Sequence, residues 1–254
     1  MAKTVAIANQ KGGVGKTTTA VNLSACVAQL GKRVLAIDID PQGNMTSGLG
    51  VDKDSVAASI YDLLINRTDA REAIIGTQID GLDLIPANIE LAGAEVELVS
   101  MMAREQVLKR ALYAVQNDYD YVFIDCPPSL GLLTLNSLTA ANTLMVPIQC
   151  EYYALEGLSQ LMLTVRRVKK SYNPAITITG ILITMYDGRL NLSAQVLDEL
   201  KKYYSDKLFR TVIPRNVRLS EAPSYGEPAL YHDKYSRGSL AYLDVAKELL
   251  ARVL

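Results

Sequence analysis

The chain has 254 residues, of which 49% are hydrophobic and 21% charged, and its formal net charge at pH 7 is −1. No linker rich in Pro, Gly or Ser, no internal repeat and no low-complexity stretch interrupts it, so we expect one domain over residues 1–254. The sequence shows no signal peptide, with its charged start and apolar core, and no apolar run approaches the roughly 18 residues of a membrane span. Both observations favour a cytoplasmic protein.

Short apolar runs alternate with helical stretches along the chain. The runs are apolar throughout rather than alternating, which is typical of buried parallel strands. Strands that alternate with helices predict an α/β fold, a mostly parallel twisted sheet with helices on both faces, whose ligands bind at the carboxyl ends of strands. The predicted strands are 5–8, 34–37, 82–85, 121–124, 143–148, 176–183 and 208–213, and the predicted helices include 18–30, 104–115, 155–168 and 191–203.

A glycine-rich segment, KGGVGKTT, lies at 11–18 between the first predicted strand and the first predicted helix. Glycines permit a tight turn whose N–H groups point at phosphate oxygens, and the helix adds its free amides and dipole. Lys16 would neutralise the β- and γ-phosphates and the Thr17 hydroxyl would bind Mg²⁺. A plain strand-to-helix turn is the alternative, but the full order of elements favours a P-loop NTPase. The predicted nucleotide-binding residues here are Lys11, Gly12, Gly13, Val14, Gly15, Lys16, Thr17 and Thr18.

The loop departs from the ordinary P-loop pattern because Gln10 replaces the first glycine and Lys11 adds a second lysine. It resembles the deviant Walker A loop, KGGxxK[ST], of the ParA/MinD ATPases. That resemblance implies that Lys11 reaches the phosphates bound by a partner subunit, and that ATP holds an ATP-dependent homodimer together face to face. The alternative is that Lys11 is a solvated loop charge, although a second cation beside a polyphosphate is favourable either way.

Two acidic segments follow predicted strands. Asp40, within DIDPQGN (38–44), could orient or deprotonate an attacking water, or it could cap a turn. Asp125 ends the apolar run YVFID in a Walker B arrangement and would orient the coordination shell of Mg²⁺. The segments resemble the two switch regions of the same family. The predicted catalytic residues are Lys11, Lys16, Asp40 and Asp125, with Mg²⁺ held by Thr17 and, through water, by Asp40 and Asp125.

The base pocket is harder to predict. The segment VIPRN (212–216) follows the last predicted strand and can reach the same edge of the sheet. From the residues alone it is a strand-ending turn. The family resemblance implies that Pro214 and Asn216 contact adenine, and it is the only ground for preferring adenine to guanine.

Charge is divided unevenly along the chain. Residues 1–164 carry 11 Lys and Arg against 18 Asp and Glu, whereas residues 165–254 carry 15 against 9. The excess of bases suggests an anionic partner, although ordinary helix-surface charge is the alternative. No helix-turn-helix or zinc motif is visible, so any DNA binding would be nonspecific, through phosphates of double-stranded DNA. The resemblance implies that Arg189 and Arg218 contact DNA when ATP pairs the subunits.

The resemblance extends nearly from end to end, through 10–19, 38–44, 125–138, 149–161 and 214–228. It is greatest to the short chromosomal ParA type, which has no DNA-reading extension before the first strand. It implies a nucleoid-associated protein that partitions chromosomes and hydrolyses ATP slowly until a ParB-type partner stimulates it. No arginine finger or glutamine base is visible in the switches, which agrees with slow turnover.

Two rival functions stay open at this stage. A MinD-like membrane ATPase that positions division machinery would need a basic amphipathic terminus. The terminal stripe at 239–254 has Leu240, Leu243, Ala246 and Leu250 without a basic excess, so we expect a helix packed on the core and no membrane partner. An electron-transfer ATPase resembling the nitrogenase iron protein would need cluster-binding cysteines. Cys126 and Cys150 follow predicted strands, which leaves metal binding open, but each is more simply a small buried residue.

Overall fold

The structure, a computed structural model, describes residues 1–253. Within them seven strands form one sheet in the order β3-β4-β2-β5-β1-β6-β7. Every neighbouring pair is parallel except β3 and β4, which are antiparallel at one edge. The strands are β1 (Lys3–Ile7), β2 (Val34–Asp38), β3 (Ile75–Gly76), β4 (Leu82–Ile85), β5 (Tyr121–Asp125), β6 (Thr143–Gln149) and β7 (Thr177–Thr184).

Helices connect these strands and cover both faces of the sheet. Three of the predicted helices, 18–30, 155–168 and 191–203, are confirmed within a few residues as α1, α7 and α8 below. The helices are α1 (Lys16–Gln29), α2 (Asn44–Gly48), α3 (Ala70–Ala73), α4 (Leu91–Leu98), α5 (Val107–Ala111), α6 (Leu132–Ala140), α7 (Ala154–Ser171), α8 (Asn191–Tyr204), α9 (Val217–Glu221), α10 (Ala229–His232) and α11 (Arg237–Arg252).

Each face of the sheet has its own hydrophobic core. On one face α1 and α11 bury Leu23, Tyr242 and Leu249 against the strands. On the other face α7 and α8 bury Leu158 and Leu200 together with residues of α4 and α6. A parallel sheet requires this cover on both sides, which is why its central strands are apolar throughout. The predicted fold class, an α/β P-loop NTPase fold with a mostly parallel sheet, is confirmed, whereas the single-domain assignment stays a prediction.

The prediction of a strand at 208–213 is wrong. The segment runs beside β7 but makes only two isolated bridges, Ile181 with Leu208 and Tyr186 with Pro214. Between those bridges the carboxylate of Glu248 accepts hydrogen bonds from the backbone N–H groups of Arg210 (2.9 Å) and the next residue (3.3 Å). These donors are therefore turned away from β7, and no regular ladder forms.

The predicted helix at 104–115 is also broken. The structure has a 3₁₀ turn at Arg104–Gln106, then α5, then a second 3₁₀ turn at Leu112–Ala114. Asn136 of α6 explains the first break, because its side chain substitutes for a helical backbone unit. Its Oδ1 accepts from the Leu108 N–H at 3.1 Å, and its Nδ2 donates to the Arg104 carbonyl at 2.8 Å.

The terminal helix packs on the core as predicted, and Ala246 of the predicted stripe is fully buried, but the buried face is rotated away from Leu240. Tyr242, Val245 and Leu249 of α11 are buried, whereas Leu240, which was predicted to belong to the buried stripe, is 47% exposed. The predicted segment extends to Leu254, which lies outside the described residues. Across residues 1–253, no helix has the length and apolar character that crossing a membrane requires.

Candidate nucleotide site

The glycine-rich loop joins the end of β1 to the start of α1 at the carboxyl edge of the sheet. Gly13 and Gly15 have φ values of 72° and 81°, a left-handed conformation that side chains rarely adopt. Gly15 immediately precedes α1 and supplies no side chain to cap it, so the first helical amides keep no side-chain acceptor. Gly12 and Gly13 are exposed. The loop therefore presents free backbone N–H groups and the positive end of a helix to an anion.

Hydrogen bonds to neighbouring strands hold the loop in place. The buried Asn9 side chain donates to the Pro147 carbonyl of β6 at 2.7 Å and accepts from the Lys11 N–H at 3.0 Å. At the end of β7, the Thr184 hydroxyl donates to the carbonyl of Val14 at 2.8 Å. Val14 itself is buried. The chain's own hydrogen bonds therefore fix the shape of the loop, which is the preorganisation that phosphate binding needs.

The two lysines of the loop have different surroundings. Lys16, the first residue of α1, is only 6% exposed, and its Nζ donates to the Lys11 carbonyl at 3.0 Å. Burial lowers the pKa of Lys16, and the carboxylates of Asp125 and Asp40 act in the opposite direction. The side chain of Lys11 turns away from Lys16 to pair with Glu151 just after β6, and it stays 36% exposed. One lysine thus faces the chain's own phosphate loop and the other lies at the surface.

Asp38 and Asp125 face each other in register at the ends of β2 and β5, and both are fully buried. The Asp38 carboxylate accepts hydrogen bonds from the Thr46 N–H and hydroxyl, both at 2.8 Å, and from the Asp40 N–H at 3.2 Å. Burial raises its pKa to about 6 in spite of these donors. Asp38 therefore ties the start of α2 to the sheet.

Asp125 has no such partners. Both of its carboxylate oxygens are buried without a hydrogen-bond donor among the described residues. Burial, followed by the charge of Asp38, raises the pKa of Asp125 well above its usual range, and the nearby Thr17 hydroxyl acts in the opposite direction. A buried unpaired carboxylate is costly, and it calls for an explanation such as a missing cation or water.

A divalent cation fits this position. Carboxylate and hydroxyl oxygens from Asp125 and Thr17 are the ligands that Mg²⁺ prefers, usually with waters and substrate phosphates. Within residues 1–253 no three His, Cys, Asp or Glu side chains converge on one point. A cation here would therefore depend on bound phosphates, which is the usual arrangement for nucleotide-dependent Mg²⁺ sites.

Asp40 shapes a turn, one of the two alternatives that the sequence left open, and it also lies near the phosphate loop. Its Oδ1 accepts from the Gln42 N–H at 3.0 Å and its carbonyl accepts from the Gly43 N–H at 2.9 Å, so it does shape a turn. It is also 7% exposed and close enough to Lys16 and Asp125 to affect their titration. Asp40 thus lies at the phosphate-loop edge of the sheet, while its catalytic role stays a prediction.

A cavity of about 110 Å³ lies beside the loop, between α1, the end of β7 and the segment before α9. Gly15 and Thr18 form one wall, and Pro214 and Asn216 form the other. The side-chain Oδ1 of Asn216 accepts from the Arg218 N–H at 2.9 Å and caps the start of α9. The structure therefore brings both residues of the predicted base pocket next to the predicted phosphate loop. Their contact with a base stays a prediction.

The two predicted DNA-binding arginines lie at the surface and pair with acidic residues of their own chain. The Arg189 guanidinium binds the Asp187 carboxylate at 2.6 and 2.9 Å, and this holds the pKa of Asp187 down to about 2. Arg218 pairs with Glu221 at 2.8 Å and with Asp233 at 3.2 Å. A phosphate would have to share or displace these carboxylates.

Sequence reasoning missed three residues of this edge. Glu151 pairs with Lys11, Thr184 holds the loop carbonyl of Val14, and Met185, at a φ of 50°, lines the base cavity. All three come directly after or at the end of β6 or β7. Their position at carboxyl ends of strands was the available signal, because such ends meet at the ligand edge of a parallel sheet.

The loop, the buried lysine and the unpaired aspartate define a P-loop nucleotide site of the two-lysine type. A family model described as an AAA domain matches residues 2–178. The chain is 60% identical over 251 residues to the sporulation initiation inhibitor protein Soj of Bacillus subtilis, covering 99% of both. It is 50% identical to the chromosome partitioning protein ParA of Caulobacter vibrioides, covering 98% of this chain and 94% of that protein.

A solved structure agrees in fold and sequence. A Mycobacterium smegmatis protein named cobyrinic acid a,c-diamide synthase, with bound ADP and magnesium, superimposes with a TM-score of 0.85 at 41% identity. The match covers 98% of this chain and 94% of that one. The chain belongs to the ParA/MinD family of deviant Walker A ATPases.

Proposed function

We propose that this chain is an ATP-dependent chromosome partitioning protein whose ATP-bound homodimer binds DNA nonspecifically. A ParB-type partner would stimulate its hydrolysis of ATP to ADP and phosphate. The observation that carries the nucleotide half of the proposal is the fully buried, unpaired carboxylate of Asp125 beside the phosphate loop. The relative named as a chromosome partitioning protein is 50% identical to this chain, against 41% for the neighbour named as a synthase, which supports the partitioning half.

In this proposal each residue of the loop has a defined task. The N–H groups of Gly12 to Thr18 bind the phosphates, and the Lys16 Nζ exchanges its bond to the Lys11 carbonyl for phosphate oxygens. Thr17 would hold Mg²⁺, with Asp125 and Asp40 acting through water, and the bound ion would neutralise the charge that develops on the phosphates. Pro214 and Asn216 contact adenine in the adjoining cavity.

Asp40 would orient the attacking water. Its carboxylate is nearly buried at the loop edge, and one oxygen is already fixed by the Gln42 N–H, so the side chain is held in one orientation. Hydrolysis of this kind depends mainly on positioning and charge, and a single carboxylate without an arginine finger agrees with slow turnover.

Lys11 would act on the partner subunit. Its side chain turns away from its own phosphate loop and lies partly exposed in an ion pair with Glu151. An exposed ion pair contributes little stability, so a bound triphosphate on a facing subunit would compete for the ammonium group effectively. This gives ATP a means of joining two subunits.

The buried positions in the structure favour this proposal over its two rivals. The apolar face of α11 that a membrane anchor would need already packs against the core through Val245 and Leu249. The cysteines that an iron cluster would need are buried, and burial raises the pKa of Cys126 to about 12 and that of Cys150 to about 11. Buried thiols do not face a second subunit, with which a shared cluster would have to be held, so each is more simply a small buried residue.

The test is a comparison of Lys16→Ala and Lys11→Ala with the wild type. We expect Lys16→Ala to lose ATP binding by at least about 100-fold, because it removes the cation facing the phosphates. Lys11→Ala should still bind ATP but stay monomeric in sedimentation with ATP, and a ParB-type partner should not stimulate its hydrolysis. Dimerisation of Lys11→Ala at wild-type concentrations would contradict the assigned role of Lys11, and ATP binding by Lys16→Ala would contradict the nucleotide site.

A further inference from the structure

The second half of α7 carries four basic side chains without acidic partners. Arg166, Arg167, Lys169 and Lys170, here called the α7 basic cluster, are all exposed. Among residues 1–253, no carboxylate lies within ion-pair distance of any of them. Between Glu156 and Asp187 the sequence contains no acidic residue at all. The cluster is therefore a concentrated positive charge that the chain does not neutralise itself.

Helix stability alone does not explain this arrangement. Two basic residues in the last turn complement the helix dipole, as Lys201 and Lys202 do in α8 and Lys169 and Lys170 do in α7, but Arg166 and Arg167 precede that turn. In α8, however, each lysine pairs with an acidic residue three positions earlier, Asp198 or Glu199. In α7 the cluster instead places like charges at spacings of three and four residues, which destabilises a helix. The uncompensated repulsion points to an external anion.

The fold holds the cluster in a fixed position. The opposite face of α7 buries Leu158, Leu161, Val165 and Val168 in the core, so the basic side chains must face outward. A groove of about 470 Å³ runs between α7 and the start of β7, and Arg166 and Lys169 line it. Its far wall holds Lys207 and Asp206, which pair with each other at 3.2 Å and so neither add to nor cancel the charge of the cluster. The anion would thus meet charges fixed on a rigid helix.

The cluster lies far from the two predicted DNA-binding arginines. The chain enters α7 beside Lys11 at the nucleotide edge, and α7 then rises about 1.5 Å per residue toward the amino ends of the strands. Lys170 is therefore about 24 Å from the start of the helix. Arg189 and Arg218, by contrast, follow the carboxyl end of β7 and the base cavity. The two basic surfaces occupy opposite edges of the sheet.

We infer that the α7 basic cluster is a second DNA-contacting surface, which binds the phosphates of duplex DNA without regard to sequence. This inference rests on the proposed DNA-binding function and extends it. Phosphate binding needs only charge and releases counterions from the DNA. An anionic membrane would in addition require an exposed apolar face. Val165 and Val168 are buried, and a single exposed leucine, Leu163, precedes the cluster, so DNA is the better match.

The position of the cluster has a consequence for the nucleotide cycle. Because it lies away from the nucleotide edge, each subunit offers it with or without ATP. A monomer should therefore bind DNA weakly through one cluster, and an ATP-bound dimer should bind more tightly because two clusters are linked. Release from DNA after hydrolysis would then reflect the loss of this linkage.

The experiment measures binding to random-sequence duplex DNA across a salt series, with ATP and without nucleotide. The variant replaces all four basic residues of the cluster with Gln. The control is Lys201→Gln/Lys202→Gln, which removes two basic residues that are ion-paired in α8. We expect the four-residue variant to lose at least about tenfold in affinity and its salt slope to fall by about 3 to 4. The control should change affinity far less, and both proteins should keep wild-type ATP hydrolysis.

Several outcomes would overturn the inference. The first two are wild-type affinity and salt slope in the four-residue variant, and an equal loss of affinity in the control. The other two are failure of the wild type to bind DNA, and binding to phosphatidylglycerol vesicles that depends on the cluster while DNA is not bound. If the four-residue variant fails to fold, the doubles Arg166→Gln/Arg167→Gln and Lys169→Gln/Lys170→Gln each remain decisive at about half the slope change. Cluster-dependent binding that ATP does not strengthen would contradict the proposed function and leave the cluster assignment standing.

Discussion

The ends of β2 and β5 carry two aspartates in the same register that differ in what surrounds them. Asp38 and Asp125 are both fully buried, and burial raises the pKa of each. Asp38 accepts three hydrogen bonds from its own chain, two of them from Thr46. Asp125 accepts none among the described residues. The two carboxylates are the same chemical group in the same layer, so the contrast isolates the effect of the partners.

This contrast separates a structural residue from a ligand residue. A buried carboxylate with a full set of donors fixes the backbone around it, as Asp38 does for the start of α2. A buried carboxylate without donors costs stability, by about 1–3 kcal/mol for a typical unpaired polar group, unless a bound group compensates. The lack of hydrogen-bond donors around Asp125 in the described part of the chain therefore marks it as a ligand residue. This can be tested by replacing Asp125 and by removing donors from Asp38.

The largest expected effect follows replacement of the unpaired residue. Asp125→Asn should slow ATP hydrolysis by at least about 100-fold, because it removes the charge that orients the cation. In the absence of nucleotide the same variant should raise the free energy of unfolding by about 1 kcal/mol, because a buried charge becomes a neutral amide. Steady-state ATP turnover and urea denaturation measure the two effects. Loss of stability in Asp125→Asn would show that the carboxylate has partners within the fold.

The second prediction removes a hydrogen-bond donor from Asp38, the buried carboxylate that has partners. Thr46→Val removes a hydroxyl that donates to Asp38 and accepts from the Ala87 N–H at 2.9 Å. We expect the free energy of unfolding to fall by about 1–3 kcal/mol, since two buried groups lose a partner. The control is Thr139→Val, whose hydroxyl bonds only a carbonyl of its own helix. Equal losses in both variants would indicate a general effect of buried threonines.

The third prediction concerns how the stability gained by Asp125→Asn depends on pH. The pKa of Asp125 is raised in the folded protein, so the native state binds more protons than the unfolded state above about pH 4. Its contribution to stability is therefore complete below pH 4 and is lost as the pH rises. The difference in unfolding free energy between Asp125→Asn and the wild type should be near zero at about pH 4 and grow by at most about 1.4 kcal/mol per pH unit. A difference that shrinks between pH 4 and 7 would contradict the raised pKa.

The sequence predicted the loop and Asp125 because both depend on local order. Lys16 and Gly15 lie at a strand-to-helix junction that the motif itself specifies, and Asp125 ends an apolar run. What it could not predict depends on side chains that arrive from distant segments. Glu248 captures the N–H of Arg210 from 38 residues away and prevents a strand at 208–213.

The same reasoning accounts for the other differences. Asn136 lies on the neighbouring helix α6, 28 residues after Leu108, and its bond to the Leu108 N–H breaks the predicted helix at 104–115. In α11 the apolar residues allow two faces, and the packing against α1 selects the one with Tyr242 instead of Leu240. The pair between Arg218 and Asp233 likewise joins separate segments, whereas Arg189 pairs with Asp187 only two residues away. By contrast, the lack of acidic residues around the α7 basic cluster is visible in the sequence.

The most direct test of the account is whether ATP controls binding to DNA. The measurement is the affinity of the wild-type chain for random-sequence duplex DNA with ATP, with ADP and without nucleotide, at several salt concentrations. The account predicts weak, salt-sensitive binding without ATP and a tightening of about 100-fold or more when ATP links two subunits. Equal affinity in all three states, or no binding in any of them, would contradict the claim that this chain is an ATP-switched, DNA-binding partition protein.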